Sequence, residues 1–469
     1  MSEENILLTN KHILFYNLEQ IEKSHKKYLT FNTYEFNYIK ENFCGMVIFE
    51  TNQLNNLKIS QDTDIYICGD IQTNINIINK LENFTESNIT YIINEFSWNF
   101  DNYLNNPNTQ IINSGMVPIN IHGIGVCFRN CFASNENSID YFDSIISEHM
   151  FQSLTESNKS SNAFRTGIYI TKVEHDSQEQ EQEQEQEQEQ EQEQKQEKEK
   201  EQEQKQEQKN LNWHLLRCSS NLSGPSDNTK KTDDIIIKKT NQLANKFYKS
   251  HVSMNHVLAQ IYNNSITKSN DSKNKESKAK IKTHSDKTKD MPTNGLIGFC
   301  SFYQGYGGEE FSSKYKKSSV DSFDYVYKNS NTSVLTCLRF KLKSDVPNIN
   351  NQYVSKFDVI LYPNSLFLIS LMTNRIYTHE IVPSGLPIDK IPTRMGYTIR
   401  CSNTLATFKD GQTYLKKGNK LIEMEEPDEE GIGRLKNLYY RENMTSEKVV
   451  YSGFNFSLNK GDYMKPVIN

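Results

Sequence analysis

Apolar side chains are scarce. They make up 35% of the 469 residues, against roughly 45–50%, glycine included, in a typical globular protein. One stretch accounts for part of the deficit. Residues 178–209 alternate Gln and Glu, with Lys entering toward the end, and hold 13 Glu, 5 Lys and no apolar side chain. That puts −8 into one insert of a chain that carries −6, so the remainder sums to +2. The lack of a positive excess excludes a strongly basic protein that coats nucleic acid. The acidity belongs to the insert and says nothing about partners of the folded part. With no apolar surface to bury, the tract is predicted to be disordered or a solvated single helix.

Cysteine supplies no framework. Cys44, Cys68, Cys127, Cys131, Cys218, Cys300, Cys337 and Cys401 are scattered without dense, regular spacing, which argues against a disulfide scaffold. Cys127 and Cys131 form a lone CxxxC with no second pair at zinc spacing. No apolar run approaches the roughly 20 residues of a membrane span. The start, Met1-Ser-Glu-Glu-Asn, lacks the basic-then-apolar pattern of a signal peptide. The expectation is a soluble, cytoplasmic protein away from membranes, with the nucleus left open.

Residues 1–118 read as a small α/β domain. Asp64-Ile-Tyr-Ile-Cys68 and Ile89-Thr-Tyr-Ile-Ile93 read as strands, with helical spacing over 72–83 between them. No Gly-rich phosphate loop accompanies this βαβ-like piece. From 119 onward the texture changes. Helices are predicted over 141–154, 233–249 and 434–445. Strands are predicted over 166–171, 211–216, 257–262, 294–303, 334–343, 357–362, 365–371, 376–382, 394–401 and 449–457. Many short strands with polar turns point to a β-sandwich or barrel. A second polar insert, 264–283, carries six Lys against one Asp and one Glu and is predicted to be a loop.

The chemistry begins at His284-Ser285-Asp286. On a strand, residues i and i+2 share a face, so an imidazole and a carboxylate stand side by side. His379 offers a third ligand on a later strand. Two His and one carboxylate make the facial triad of non-haem Fe(II) oxygenases, which leaves positions open for a co-substrate and O2. An isolated HxD is common among surface residues, so the pair alone decides little. Then comes Arg394-Met-Gly-Tyr-Thr-Ile-Arg400. Alternation aims Arg394, Gly396, Thr398 and Arg400 at one face and Met395, Tyr397 and Ile399 at the other. Two inward Arg need anionic partners. A dicarboxylate such as 2-oxoglutarate would serve, through paired hydrogen bonds, and so would carboxylates of the protein.

HxD, then His, then RxxxxxR, in this order and on strands, resembles the AlkB-like branch of the Fe(II)/2-oxoglutarate-dependent dioxygenase superfamily. The resemblance covers roughly residues 120–410. It extends to Asn255-His-Val-Leu-Ala-Gln-Ile-Tyr262, where Tyr262 stands in the place of a tyrosine that helps hold 2-oxoglutarate. Gln260 replaces the Asn expected two residues earlier. The 95 residues between His284 and His379 and the Lys-rich insert are longer than that branch usually has. The resemblance implies an α+β fold: a double-stranded β-helix (jelly-roll) core with flanking helices over 119–469, interrupted by loops at 178–209 and 264–283. It also implies Fe(II) on His284, Asp286 and His379, and 2-oxoglutarate on Arg394 with Tyr262 and Gln260. Arg400 would lie nearer the keto-acid end. O2 would then oxidise a C–H or N-methyl group with release of succinate and CO2, and ascorbate would support turnover.

A methylated base in single-stranded or flipped nucleic acid is the substrate that the resemblance implies. A base inside a duplex is out of reach, and a flipped base is often stacked on aromatic rings. Trp213, His214, Phe302, Tyr303 and Tyr306 are candidates for that pocket, and each is equally a packing residue. The segment from Phe151 to Arg165 is a candidate lid, and the Lys-rich insert a candidate phosphate contact. A hydroxylase of a protein side chain or small molecule would keep the same iron and 2-oxoglutarate residues. A binding module that keeps the fold without catalysis is a third reading, which has no use for three ligands and two Arg together.

Overall fold

The computed structural model describes residues 7–17, 33–49, 59–60, 62–79, 88–97, 103, 105–132, 139–154, 164–175, 210–216, 222–268 and 274–468. The Gln/Glu tract lies outside the described residues. The strands on either side of it, Val173–His175 and Leu211–Leu215, pair antiparallel, with His175 opposite Leu211.

The N-terminal part is a parallel five-stranded sheet. Its spatial order is Met46–Ile48, His12–Asn17, Asp64–Gly69, Thr90–Ile93 and Thr109–Ile112. Parallel sheets are covered on both faces, and Asp64–Gly69 is buried at every position. Alternation splits its residues between two cores. Ile13, Phe15, Ile65 and Ile67 pack with Ile71, Ile77 and Ile78 of helix Ile71–Ile78. Asp70 starts that helix by accepting a hydrogen bond from Thr73 N at 3.1 Å. Leu14, Tyr16, Tyr66 and Cys68 face the other way, into a cluster shared with Phe340, Phe367 and Tyr377.

The largest sheet is almost wholly antiparallel. In order it holds Asp227–Asn228, Phe164–Thr171, His256–Asn263, Arg394–Arg400, Leu296–Tyr303, Ser365–Ser370, Gly125–Phe128 and Ile119–Ile121, with Gln152–Ser153 against Phe164–Thr171. Only Asp227–Asn228 runs parallel to its neighbour. A smaller antiparallel sheet of Lys356–Ile360, Cys337–Leu342 and Tyr377–Val382 shares an apolar layer with it. That layer joins Ile297, Phe299, Phe367 and Ile369 to Leu338, Phe340, Phe357 and Ile381. The opposite face of the large sheet carries Val257, Ala259, Met395, Tyr397 and Ile399. It is covered by helices Lys231–Phe247 and Tyr141–Glu148 through Ile236, Ala244, Phe247, Phe142 and Ile145.

Several expectations need correction. The Lys-rich segment is not simply a loop, since Ser265–Lys268 and Asn274–Ser277 form a hairpin. Residues 449–457 hold no strand, and helix Tyr141–Glu148 stops early as the chain extends toward Gln152. A meander of Thr404–Lys409, Gln412–Lys417 and Lys420–Glu423 went unpredicted. Its first turn is Asp410-Gly411, both at positive φ (51° and 82°), as a two-residue hairpin loop requires.

One buried polar cluster ties the helical cover to the sheet. His149 bonds Asp227 Oδ2 through Nδ1 and Asp233 Oδ2 through Nε2, each at 2.8 Å. Asp233 also accepts from Tyr397 Oη at 2.6 Å and from Lys230 N at 2.8 Å. Burial alone would lower the His149 pKa, but hydrogen bonds to the two carboxylates outweigh it and raise it to about 9. A pKa raised on folding means that the proton stabilises the native state. The contribution is complete below the unfolded value of about 6.5 and disappears as pH rises through 9. Urea unfolding of wild type and His149→Gln at several pH values should therefore show a gap of up to about 3 kcal/mol near pH 6. That gap should close by pH 10; a gap independent of pH would refute the charged imidazole.

Candidate metal centre

Strands of both sheets and one extended segment converge on a cavity of about 200 Å³. His379 comes from strand Tyr377–Val382, whose Tyr377, His379 and Ile381 are the buried positions. Its ring lies 5.4 Å from that of Phe299 and 5.8 Å from that of Phe340. Burial, then the neighbouring His284, pushes its pKa down to about 3. The imidazole is therefore neutral at pH 7, as metal ligation requires.

His284 is not in a regular strand. It makes a single bridge to His379, with His284 N donating to His379 O at 2.9 Å and His379 N to His284 O at 2.7 Å. Its Nδ1 lies 2.9 Å from Lys282 O. A carbonyl only accepts, so Nδ1 carries a proton, and Nε2 is the ring nitrogen that faces Asp286. That Nε2 lies 3.6 Å from Asp286 Oδ1, and His379 Nε2 lies 4.0 Å from the same oxygen. One donor atom from each of the three residues falls within a 4.8 Å cluster.

Asp286 divides its two oxygens. Oδ1 faces the imidazoles, and Oδ2 accepts from Arg400 Nε and Nη2, both at 2.8 Å. Burial alone would raise its pKa; Arg400, then His284 and His379, outweigh burial and hold the carboxyl well below the usual carboxylate range. Arg400, expected toward the keto-acid end of a co-substrate, lines the cavity beside the His/Asp/His cluster. Its Nε and Nη2 go to the protein's own carboxylate.

Arg394 differs. It is buried, its Nη1 donates to Ser301 Oγ at 3.3 Å, and its Nε and Nη2 have no partner among the described residues. The guanidinium lies over the Tyr262 ring, 4.1 Å from its centre. Gly396 makes this possible. A Cβ there would stand 3.0 Å from Arg394 Nη1 and 3.1 Å from Tyr262 Cε2. Register places Tyr262 opposite Arg394 and Gln260 opposite Gly396. Tyr262 Oη donates to Gln260 Oε1 at 3.5 Å, a long bond. Thr398 also lines the cavity, so the predicted alternation along this strand holds.

None of the five aromatic and His candidates for a substrate pocket lines the cavity. Trp213 packs with Val173, Leu215, Ala406 and Met424 in a separate core, and His214 lies on the other face of the same strand. Phe302 points to the helix-covered face, against Tyr141 and Tyr397. Tyr303 donates to Leu361 O at 2.8 Å and accepts from Thr336 N at 3.1 Å. Tyr306 packs edge-on against Phe311 and Tyr325. Aromatic content does not reveal which side of a sheet a ring will occupy. Instead the cavity takes in Ser301 and Phe299, two apart on Leu296–Tyr303, and Arg165, opposite Tyr262. The register of paired strands is the signal that finds them.

An open groove adjoins the cavity and shares Ile281 and Ile381 with it. Lys278, Lys280, Lys282 and Arg339 line it, with Glu276 and Glu380 among them.

No protein-family model and no curated protein matches this chain. Among solved structures, the chain is similar to OsALKBH1 at 14% identity, over 37% of this chain and 65% of that one, with a TM-score of 0.21. It is also similar to a selenomethionine-labelled Fe(II)/(alpha)ketoglutarate-dependent dioxygenase, TqaL, at 10% identity over 63% and 82% of the two chains, with a TM-score of 0.24. The first similarity spans less than two thirds of that protein. Overlaps this loose leave the weight on the site itself.

The two Arg should respond oppositely to removal. Arg400→Met strands a buried carboxylate and should cost about 3–5 kcal/mol in urea unfolding of metal-free protein. Arg394→Met strands no carboxylate and should leave that stability equal or higher. Equal losses for both would refute the difference in pairing.

Proposed function

We propose that this chain is an Fe(II)- and 2-oxoglutarate-dependent dioxygenase, with its catalytic unit in residues 119–469 and its two facing sheets forming a double-stranded β-helix. The observation that carries this reading is the coexistence, in one small cavity, of a His/Asp/His donor set and a buried guanidinium with no carboxylate partner among the described residues. His284, Asp286 and His379 hold the metal, a mixed nitrogen and oxygen set that suits iron with positions left open. Arg394 takes the distal carboxylate of 2-oxoglutarate through its two unpartnered N–H groups. Tyr262, Gln260 and Ser301 flank that carboxylate. When bound, the pair supplies oxidation by O2, with 2-oxoglutarate leaving as succinate and CO2. The chain's own part is to orient these groups and keep water from them. At about 200 Å³, the cavity falls below the roughly 300–1,000 Å³ of sites for drug-sized ligands. It suits a small dicarboxylate, and a larger substrate must approach from the mouth.

A methylated base in single-stranded or flipped nucleic acid is the substrate we favour. The Lys278, Lys280 and Lys282 side of the adjoining groove would follow a phosphate backbone, since such contacts position without reading sequence. A protein or small-molecule substrate is the second reading. It is favoured by the withdrawal of all five candidate aromatic and His side chains from the cavity wall. Residues 1–118 form a small α/β domain that packs on the catalytic unit through a shared apolar cluster and, in this proposal, contribute no chemistry to it.

Succinate formation from 2-oxoglutarate with Fe(II), ascorbate and air tests the reading. Wild type should turn over, and His284→Ala should not. Arg394→Met should raise the KM for 2-oxoglutarate by roughly 30-fold or more, the equivalent of about 2 kcal/mol. A single-stranded oligonucleotide with methylated bases should stimulate turnover; indifference to it would move the substrate to the second reading. No succinate from folded, iron-loaded protein would refute the enzyme.

A further inference from the structure

The segment that carries two of the three donors has almost no strand partner of its own. After the single bridge at His284, the chain leaves the small sheet, and Ser285 and Asp286 are buried in irregular backbone. Buried N–H and C=O groups there must be paired. Two carboxamides do it. Asn374, itself buried, accepts from Asp286 N at 2.9 Å and donates to Asp286 O at 3.0 Å. One side chain thus makes both bonds that a neighbouring strand would have made. Asn443 accepts from Ser285 N at 2.9 Å.

The two come from different places. Asn374 lies in the short helix Leu371–Ile376, five residues before His379. The same turn of chain therefore carries one donor and fixes the backbone of another. Thr373 anchors that turn by donating to Ile124 O at 2.7 Å. Asn443 lies near the end of the last helix, Glu429–Met444. That helix grips the following residues too. Glu442 accepts from Thr288 N at 3.2 Å, Tyr439 O accepts from Lys287 Nζ at 2.9 Å, and Lys343 Nζ donates to Glu442 O at 2.6 Å.

We infer that Asn374 and Asn443 are positioning residues for the metal, and that the C-terminal helix acts as a clamp on the 285–288 segment. This rests on the metal reading of His284, Asp286 and His379. Arg400 orients the Asp286 carboxylate from the side-chain end, and Asn374 holds it from the backbone end. Neither Asn reaches the donor cluster, so each acts through Asp286 or Ser285. Outer partners of this kind typically govern 10–100-fold in metal affinity.

Titration with Co(II), followed by its visible absorption bands and by calorimetry, tests the inference on the full chain without turnover. Wild type should bind one Co(II), and His379→Ala should not. Asn374→Leu and Asn443→Ala should bind 10–100-fold more weakly, with altered band intensities. Asn443 is only half-buried, so its variant keeps the test open if Asn374→Leu fails to fold. Metal-free melting temperatures close to wild type must accompany the loss. Wild-type affinity and spectrum in a folded Asn variant would overturn the inference and leave the metal reading standing. Failure of wild type itself to bind Co(II) would overturn both.

Discussion

The contact on which the site depends is the pairing of Asp286 with Arg400. A lone carboxylate buried this deeply would take up a proton rather than bear the cost of desolvation. Two hydrogen bonds from one guanidinium to a single oxygen keep it charged and fix its rotation. The other oxygen is thereby presented to two imidazole nitrogens. The orientation of the His284 ring follows from a separate constraint, the Lys282 carbonyl, and the neutrality of His379 follows from its apolar surroundings. The three side chains are thus arranged by three different means.

Strand alternation converts this pairing into a cavity. Arg394–Arg400 sends its even-numbered residues to the small sheet and its odd-numbered ones to the helices behind. Met395, Tyr397 and Ile399 bury apolar surface under Lys231–Phe247. The stability of that packing holds Arg394 and Arg400 on the other side, where charge is otherwise unwelcome. At Gly396 a Cβ would press on this arrangement, 3.0 Å from Arg394 Nη1 and 3.1 Å from Tyr262 Cε2. The absence of a Cβ there lets the Arg394 guanidinium lie flat on Tyr262.

Much of the site was legible because its residues lie on extended chain, where parity alone assigns a face. His379, Arg394, Gly396, Thr398, Tyr262 and Gln260 all reach the cavity by that rule. His284 and Asp286 reach it by another route. Their segment is barely a strand, and side-chain carboxamides complete its hydrogen bonding. The aromatic candidates were misplaced because parity gives a face only once the sheet's two sides are known. Trp213 belongs to a different sheet altogether. The 404–423 meander went unpredicted although Asp410-Gly411 is a strong hairpin signal, because its strands are short and half polar.

The sequence by itself determined the HxD pair, the later His, the pair of arginines, their shared face and the position of an insert too polar to fold into a core. Each of these is a matter of residue type and short spacing. Only the tertiary structure decided which of the two arginines pairs with the buried Asp286 carboxylate. That choice depends on Asp286 and Arg400 meeting across 114 residues, and charge pairing over such a separation is set by sheet register. The same holds for Asn374 and Asn443, whose carboxamides become visible as parts of the site only when the backbone they satisfy has been placed beside them.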